Sequence, residues 1–432
     1  MSLPRETFAA RRRRFMDQIG PGAAAILHAA PHPIRSHDVE HRYRPDSDLY
    51  YLTGFPEPEA VALFLPGHPR EEFVLFVRPR DPERETWTGY RAGVDGAMAS
   101  YGADIAHPIE KLAEEAKKYL ADREQLYFST GRDEAFARTL LEWFSQWMVT
   151  RPRTGSGPRA LIDAGAILHE MRLFKGEDEI AMLRQAIAVT AEAHTAAMRE
   201  RASGKSEHEI EALLEYLFRR GGAVGPAYPS IVASGSNATI LHYTENNRPL
   251  LDGDLLLIDA GAEYGYYCAD ITRTYPIGAR FTGPQRALFD VVLEAQTTAI
   301  DAIAPGVRIE EVHAAALRVL VRGLLDQGLL VGPESESLEK ELYKPFYMHR
   351  TSHWLGMDVH DVGDYRVGGE SRALEPGMVL TVEPGLYVSP ANADAAPQWL
   401  GIGIRIEDDV LVTATGHEVL SAAIPKLPEG VA

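Results

Sequence analysis

Four carboxylates and one histidine in the C-terminal part of the chain have the residue types of metal ligands: Asp259, Asp270, His353, Glu383 and Glu407. This oxygen-rich set suits Mn(II) or Co(II) better than structural zinc, which favours cysteine and histidine. Four negative charges balance two divalent cations, and a hydroxide held between such cations is a nucleophile near neutral pH. The set predicts a two-metal hydrolytic centre for an amide, ester or phosphoester.

The first two acids lie on neighbouring β-rich segments. Asp259 ends the apolar run 255–258, and Asp270 follows in the next β-rich segment. A turn centred near Tyr264 and Gly265 predicts an antiparallel hairpin that places Asp259 almost opposite Asp270. Cβ atoms across such a pair lie about 5 Å apart, which suits carboxylates that share metals about 3.5–4 Å apart.

The second pair of acids repeats the pattern of the first. Segments 253–261 and 377–385 both contain a glycine, a β-rich run, an acid and a closing glycine at the same offsets. Each is followed by a β-rich stretch with a second acid, Asp270 or Glu407. One acid alone would more often be a solvated strand end, but the doubled pattern indicates a duplicated half-domain with one shared centre.

Composition and length exclude several classes of protein. The 432 residues suggest two or three domains, and the net charge of −18 argues against nucleic-acid binding, which needs a basic face. No apolar stretch approaches the ~20 residues of a membrane span. With Cys268 as the one cysteine and no apolar segment at the N-terminus, we expect a cytoplasmic protein.

Hydrophobic periodicity predicts the elements around these residues. In the first part we expect strands at 23–28, 60–65 and 72–78, helices at 109–120 and 134–148, and a loop at 151–158. Further on we expect helices at 176–201, 206–220, 285–302 and 309–327. We place the domain boundary at residues 172 and 173.

Several longer motifs resemble the pita-bread metallopeptidases, which include methionine aminopeptidase, prolidase and aminopeptidase P. The resemblance to bacterial aminopeptidase P, the Xaa-Pro aminopeptidases, runs nearly end to end. Its motifs are RPDSD at 44–48, YLTGF at 51–55, HEMRLFK at 169–175, ILHYTEN at 240–246, SHWLGMDVHDVG at 352–363 and GIGIRIEDD at 401–409. Motifs of this length and order are highly specific.

The resemblance implies an α+β fold in two domains. Residues 1–172 would form a creatinase-like domain with an α/β, ribonuclease-H-like sheet, and residues 173–432 the pita-bread catalytic domain. Short methionine aminopeptidases lack the first domain, which argues against that specificity. The implied cofactor is two divalent metal ions, with Mn(II) favoured and Co(II) or Zn(II) as alternatives.

The resemblance also assigns roles to the five ligand candidates. It implies that Asp259 binds one metal, that His353 and mainly Glu383 bind the other, and that Asp270 and Glu407 bridge both. Glu383 would in addition be the general base for the hydroxide between the metals.

Three more histidines lie in the matched segments, although a single histidine is more often structural. The family implies that His242 and His360 contact the substrate and the tetrahedral intermediate. It implies that His349 holds the proline side of the peptide.

Three further side chains are weaker candidates for the site. Arg405 lies two residues before Glu407, so both project to the same face of a strand. It would orient ligands, with a surface ion pair as the alternative. Tyr228 and Tyr387 are candidates for substrate binding, with core packing as the alternative.

Asp38 and Trp87 match positions that in relatives approach the active site of a neighbouring subunit. They imply a homo-oligomer, either a dimer or a tetramer. The neighbouring residues 37–41 include two histidines and two acids, which ordinary loop polarity explains better than a metal site.

The implied activity is hydrolysis of the Xaa-Pro bond at the N-terminus of peptides, which releases the first residue. The alternative is a prolidase that acts on Xaa-Pro dipeptides, and a third hypothesis is a catalytically silent peptide-binding protein. Pro229, Arg350 and Thr351 depart from the pattern expected of relatives. None of the three is itself a ligand candidate, and we expect them to affect the rim of the substrate cleft.

Overall fold

The computed structural model describes residues 3–29, 31–131, 133–278 and 280–427. The chain divides into two compact units, Ser2–Arg172 and Leu173–Ala432. Among the helices within the described ranges, none has the length and apolar character that crossing a membrane requires.

The N-terminal unit is a mixed sheet covered by helices. Its helices are α1 Arg5–Ile19, α2 Ser47–Thr53, α3 Pro82–Thr88, α4 Gly93–Tyr101, α5 Leu112–Leu120, α6 Glu134–Thr154 and α7 Gly165–Leu173. Its strands are β1 Ala23–His28, β2 Ile34–Ser36, β3 Val39–Glu40, β4 Val61–Phe64, β5 Phe73–Val77, β6 Ile105–Pro108, β7 Gln125–Phe128 and β8 Ala160–Asp163. The main sheet has the order β6-β5-β4-β1-β7-β8, and β4 runs antiparallel to both of its neighbours.

Helix α6 corrects the loop predicted at 151–158, because the helix continues to Thr154. Pro152 lies within its last turn, and the helix ends two residues later at Thr154, before Gly155 with a φ of 71°. The other helices and strands predicted in this unit are present, with ends shifted by a few residues.

The C-terminal unit combines long helices with short antiparallel strands. Its helices are α8 Glu177–Glu200, α9 Glu207–Arg220, α10 Gly283–Asp301, α11 Ile309–Asp326 and α12 Glu334–Glu339. Its strands are β9 Gly225–Pro226, β10 Ile231–Ser234, β11 Leu255–Asp259, β12 Ala262–Tyr264, β13 Tyr267–Cys268, β14 Thr272–Pro276, β15 Arg366–Val367, β16 Glu370–Ser371, β17 Val379–Val382, β18 Gly385–Tyr387, β19 Gly403–Arg405, β20 Asp408–Val412 and β21 His417–Val419.

The first predicted hairpin is present, but its register differs from the prediction by two residues. Asp259 is paired with Thr272 rather than with Asp270. The turn falls on Gly265 and Tyr266, whose φ values of 57° and 66° fit a type I′ turn. The register therefore places Asp270 opposite Gly261.

Gly261 is required by the close approach of the two strands. A Cβ atom at this position would lie 1.7 Å from the carbonyl oxygen of Ala269. The closing glycine of the first repeat is therefore what lets the chain around Asp270 approach Asp259.

The second hairpin places its two acids directly opposite each other. Val382 is paired with Asp408, and Gly385 with Arg405, so Glu383 faces Glu407. The two hairpins therefore match only in the position of their first acids, Asp259 and Glu383. The second acid of the first half lies two residues closer to its turn, and Thr272 occupies the position that Glu407 has in the second half.

Arg273 ties the two hairpins together inside the core. Its guanidinium is fully buried and forms an ion pair of 2.8 Å with Asp408. It also donates to the carbonyl oxygen of Glu407 at 2.6 Å, while the amide of Glu407 donates to the carbonyl of Thr272 at 3.0 Å. The backbone on both sides of Glu407 is held in this way.

We expect Arg273→Met to lower the melting temperature of the C-terminal unit by roughly 10 °C. Breaking a buried ion pair costs about 3–5 kcal/mol, and each kcal/mol shifts the melting temperature of a large domain by about 2–4 °C. Differential scanning calorimetry measures the shift. The control is Arg286→Met, which removes an exposed ion pair with Asp290; equal shifts for both variants would contradict the structural role of Arg273.

Candidate metal centre

The five ligand candidates all line one cavity of about 640 Å³. One ligand atom from each of Asp270, His353 and Glu407 lies within 4.8 Å of the others. The Nε2 atom of His353 is 3.3 Å from Asp270 Oδ2 and 3.6 Å from Glu383 Oε1. Asp259 lines the same cavity.

His353 reaches this point because its backbone is fixed against β17. Its amide donates to Thr381 Oγ1 at 3.2 Å, and its carbonyl accepts the amide of Thr381 at 2.9 Å. Its Nδ1 atom lies 3.1 Å from the carbonyl oxygen of Trp354, which leaves Nε2 to face the acids. A histidine held at one nitrogen in this manner is typical of metal ligands.

The pKa shifts of the clustered side chains show that positive charge would stabilise the cluster. Burial, followed by the neighbouring acids, raises the pKa of Glu407 well above its usual range. Burial also raises the pKa of Glu383 to about 7, against the lowering effects of His353 and Arg405. Burial lowers the pKa of His353, but its bond to Asp270 and the nearby carboxylates together raise it to about 9. The donor set therefore fits divalent cations, which supply the missing charge.

Arg405 lies behind the acids rather than at the surface, so the surface ion pair considered as an alternative is wrong. The side chain is buried, and Nη2 donates to Asp259 Oδ2 at 2.6 Å. Its Nε donates to Thr272 Oγ1 at 3.1 Å, and the same hydroxyl donates to Glu407 Oε2 at 2.6 Å. One arginine thus orients acids from both hairpins.

The two tyrosines have different positions. Tyr228 lines the cavity, and its hydroxyl lies 2.6 Å from both Asp259 Oδ1 and Asp270 Oδ1. Burial and the adjacent acids raise its pKa well above the usual value, so it remains a donor. Tyr387 is buried, and its hydroxyl accepts from Arg405 at 2.9 Å. The buried position of Tyr387 favours the alternative of core packing over direct substrate binding.

His349 lies between the cluster and Tyr387. Its Nε2 atom is 2.9 Å from the hydroxyl of Tyr387, and Nδ1 is 2.8 Å from the carbonyl oxygen of Arg350. Burial, followed by the charge of Arg405, lowers the pKa of His349 to about 3. The ring is therefore neutral at physiological pH, with both nitrogens engaged.

His360 and His242 complete the histidines of the cavity wall. The ring of His360 lies 4.3 Å from that of His353, centroid to centroid. Burial and the charge of His353 lower the pKa of His360, which leaves a neutral imidazole next to the acids.

Glu207 anchors the loop that carries His242, and the sequence analysis missed it. Its fully buried carboxylate accepts from the amide of Ser234 at 2.7 Å, the hydroxyl of Tyr243 at 2.8 Å and the amide of Arg248 at 2.8 Å. The capping pattern at the start of α9 was visible in the sequence, but partners up to 41 positions away were not.

Most of the apolar wall of the cavity could not be predicted from the sequence. Pro229, Ile231, Leu241 and Val359 line the cavity together with the polar residues. Pro229, Leu241 and Val359 lie in loops, where apolar residues carry no periodic signal, and Ile231 begins the short strand β10. Their shared position depends on long-range packing.

Asp38 and Trp87 lie in the N-terminal unit. Asp38 is exposed between β2 and β3, and Trp87 in α3 is 87% exposed. Their role beside another subunit stays a prediction.

Comparison with known proteins identifies the family. The model of metallopeptidase family M24 matches residues 181–414, and the model of the N-terminal domain of aminopeptidase P matches residues 8–127. The Xaa-Pro aminopeptidase of Escherichia coli is 44% identical over 431 residues, which is 99% of this chain and 97% of that protein.

Solved structures agree with this match. The aminopeptidase PepP of Pseudomonas aeruginosa superposes with a TM-score of 0.96 at 50% identity, covering 100% of this chain and 97% of that one. Aminopeptidase P from Escherichia coli with the inhibitor Pro-Leu gives a TM-score of 0.95 at 43% identity, covering 100% and 98%. The predicted α+β class and the resemblance to aminopeptidase P are confirmed, and the chain belongs to metallopeptidase family M24.

Proposed function

We propose that this chain is a metal-dependent Xaa-Pro aminopeptidase, which releases the first residue from peptides whose second residue is proline. The observation that carries the proposal is the 44% identity to an Xaa-Pro aminopeptidase across 99% of the chain. The cluster of acids and histidine in the wall of the cavity supports it, because these side chains have the chemistry of a metallopeptidase site.

Two divalent metal ions would be held by Asp259, Asp270, His353, Glu383 and Glu407. Bound there, such ions lower the pKa of a water molecule towards neutrality and polarise the scissile carbonyl. We favour Mn(II), with Co(II) and Zn(II) as alternatives, because one imidazole among four carboxylates is a hard donor set.

Glu383 is the proposed general base. Burial raises its pKa to about 7, and bound divalent cations would lower it again, which would keep the carboxylate ionised and able to accept a proton at neutral pH. Its Oε2 atom lies 3.5 Å from Nδ1 of His349, so a neutral histidine adjoins the carboxylate without neutralising it. Glu383 would accept the proton of the attacking water and pass it to the leaving proline nitrogen.

The remaining histidines would bind the reacting carbonyl. His360 and His242 line the cavity, and imidazole donors directed at a developing oxyanion lower the barrier of acyl transfer. His349 would hold the proline side of the peptide. Arg405 would act through Asp259 and, by way of Thr272, through Glu407.

An Xaa-Pro bond fits this kind of centre because it is a tertiary amide without an N–H. A site that binds the free amine and polarises the carbonyl does not need a hydrogen bond from the nitrogen of the scissile amide. The apolar wall formed by Ile231, Leu241 and Val359 offers a surface for the proline ring.

We also propose that the chain works as a homo-oligomer in the cytoplasm. Exposed Trp87 and Asp38 are the side chains that would approach a neighbouring subunit. A dimer and a tetramer are both consistent with this proposal.

The activity is tested with an Xaa-Pro dipeptide and an Xaa-Pro-Xaa tripeptide, using metal-stripped protein with and without Mn(II). We expect rapid, Mn-dependent release of the first residue from the tripeptide, measured by chromatography. Cleavage of the dipeptide alone would identify a prolidase, and cleavage of neither would identify the silent peptide-binding protein.

Glu407→Gln should lower kcat/KM by more than about a hundredfold, since even residues that only orient metal ligands contribute 10–100-fold. Bound metal, measured by plasma mass spectrometry, should fall with it. Asp301→Asn is the control, because Asp301 is an exposed acid at the end of α10. A Glu407→Gln protein with full activity and full metal content would overturn the ligand assignment.

His360→Ala should lower kcat by about 10²–10³, the usual effect of removing one donor to a developing oxyanion. The metal content should stay near that of the wild type, because His360 is proposed to contact substrate. Loss of metal in this variant would instead make His360 a ligand.

A further inference from the structure

A second cavity of about 400 Å³ lies beside the reaction cavity. Arg350, Ser352, His353 and Tyr365 line both cavities. The second cavity is also lined by Ile309 and the start of α11. Arg350 is therefore part of the wall of the reaction cavity itself, within reach of a peptide bound there.

Arg350 lines both cavities and carries a positive charge that no described residue neutralises. Among the residues that the structure describes, none forms an ion pair with its guanidinium or accepts a hydrogen bond from it. The other arginine of the second cavity, Arg366, is neutralised by Glu310 at 2.8 Å. Of the two arginines of the second cavity, Arg350 alone therefore lacks a carboxylate partner among the described residues.

The backbone at Arg350 is fixed although its side chain is exposed. The carbonyl of Arg350 lies 2.8 Å from His349 Nδ1. The next residue, Thr351, contacts His313 Nδ1 at 2.8 Å and the hydroxyl of Tyr347 at 2.7 Å, and its carbonyl accepts the amide of Glu383 at 2.8 Å. The backbone that carries the guanidinium is therefore anchored at the reaction cavity, and the donors of the guanidinium remain available.

The amine and carboxylate charges of a peptide substrate make the position of Arg350 selective between substrates. Given the proposed aminopeptidase activity, the free amine lies one residue from the scissile bond, close to the acids. Each further residue extends the chain by about 3.3–3.6 Å, so the residue after proline is directed away from the acids. An unpaired guanidinium repels an amine and attracts a carboxylate, which it can bind through two parallel hydrogen bonds.

We propose that Arg350 is a specificity-determining residue that binds a carboxylate on the residue after proline. This carboxylate is either the C-terminus of a tripeptide or an acidic side chain of a longer peptide. The proposal rests on the proposed aminopeptidase function and adds a preferred substrate class.

The test compares wild type with Arg350→Gln on matched substrates at fixed Mn(II). The first pair is Ala-Pro-Ala with a free carboxylate and with a C-terminal amide. The second pair has Glu or Gln after proline in a tetrapeptide amide. We expect wild type to prefer at least one acid over its neutral match by about tenfold in kcat/KM, or about 1.4 kcal/mol. Arg350→Gln should remove this preference through KM, with kcat nearly unchanged.

Control reactions separate this inference from the proposed function. Arg286→Gln removes an exposed arginine on α10 and should keep the wild-type preference. The neutral substrates should be cleaved equally by wild type and Arg350→Gln, which shows that the variant is folded and active. Equal cleavage of acidic and neutral substrates by wild type would overturn the role of Arg350 and leave the aminopeptidase function intact. A preference that instead follows an acid on the first residue would also overturn it, whereas inactivity on every substrate refutes the function itself.

Discussion

The crowding of buried carboxylates in the wall of the cavity is the constraint on which the C-terminal unit depends. Burial and mutual repulsion raise the pKa of Asp270, Glu383 and Glu407 above their usual ranges. A cluster of this kind is stabilised either by protons or by cations, because isolated buried charges are costly. Divalent cations would neutralise the repulsion and keep the carboxylates ionised, so that Glu383 could still accept a proton. The proposed metal binding and the proposed role of Glu383 as general base thus depend on the same electrostatic arrangement.

The two hairpins hold this repulsive cluster together by interactions outside it. Gly261 lets the strands of the first hairpin approach each other, and the buried pair of Arg273 and Asp408 joins the first hairpin to the second. Arg405 then contributes positive charge directly to Asp259. The attractive interactions therefore come from side chains around the acids, and Arg405, Tyr228 and Thr272 each hold acid oxygens at the cavity.

The sequence predicted the clustered acids, the first hairpin, its repetition in the second half and the long helices, because each has a local signal in periodicity or repetition. It failed on the register of the first hairpin, since a turn shifted by one residue from Tyr264–Gly265 to Gly265–Tyr266 changes every pairing by two. It gave no signal for Glu207 and left Tyr387 open between substrate binding and core packing, because their partners are distant in sequence. Local patterns specify which residues approach a site, while long-range packing decides which of them reach the cavity.

The charges in the wall of the cavity bear on how the proposed peptide substrate is oriented. The acids would attract the free amine of a peptide, and the guanidinium of Arg350, which forms no ion pair with a described residue, would attract a carboxylate. A tripeptide with proline at its second position carries these charges at opposite ends, so only one orientation satisfies both. Opposed charges of this kind contribute more to orientation and specificity than to affinity. The preferred orientation would then bring the bond before proline, rather than a neighbouring bond, to the proposed metal ligands.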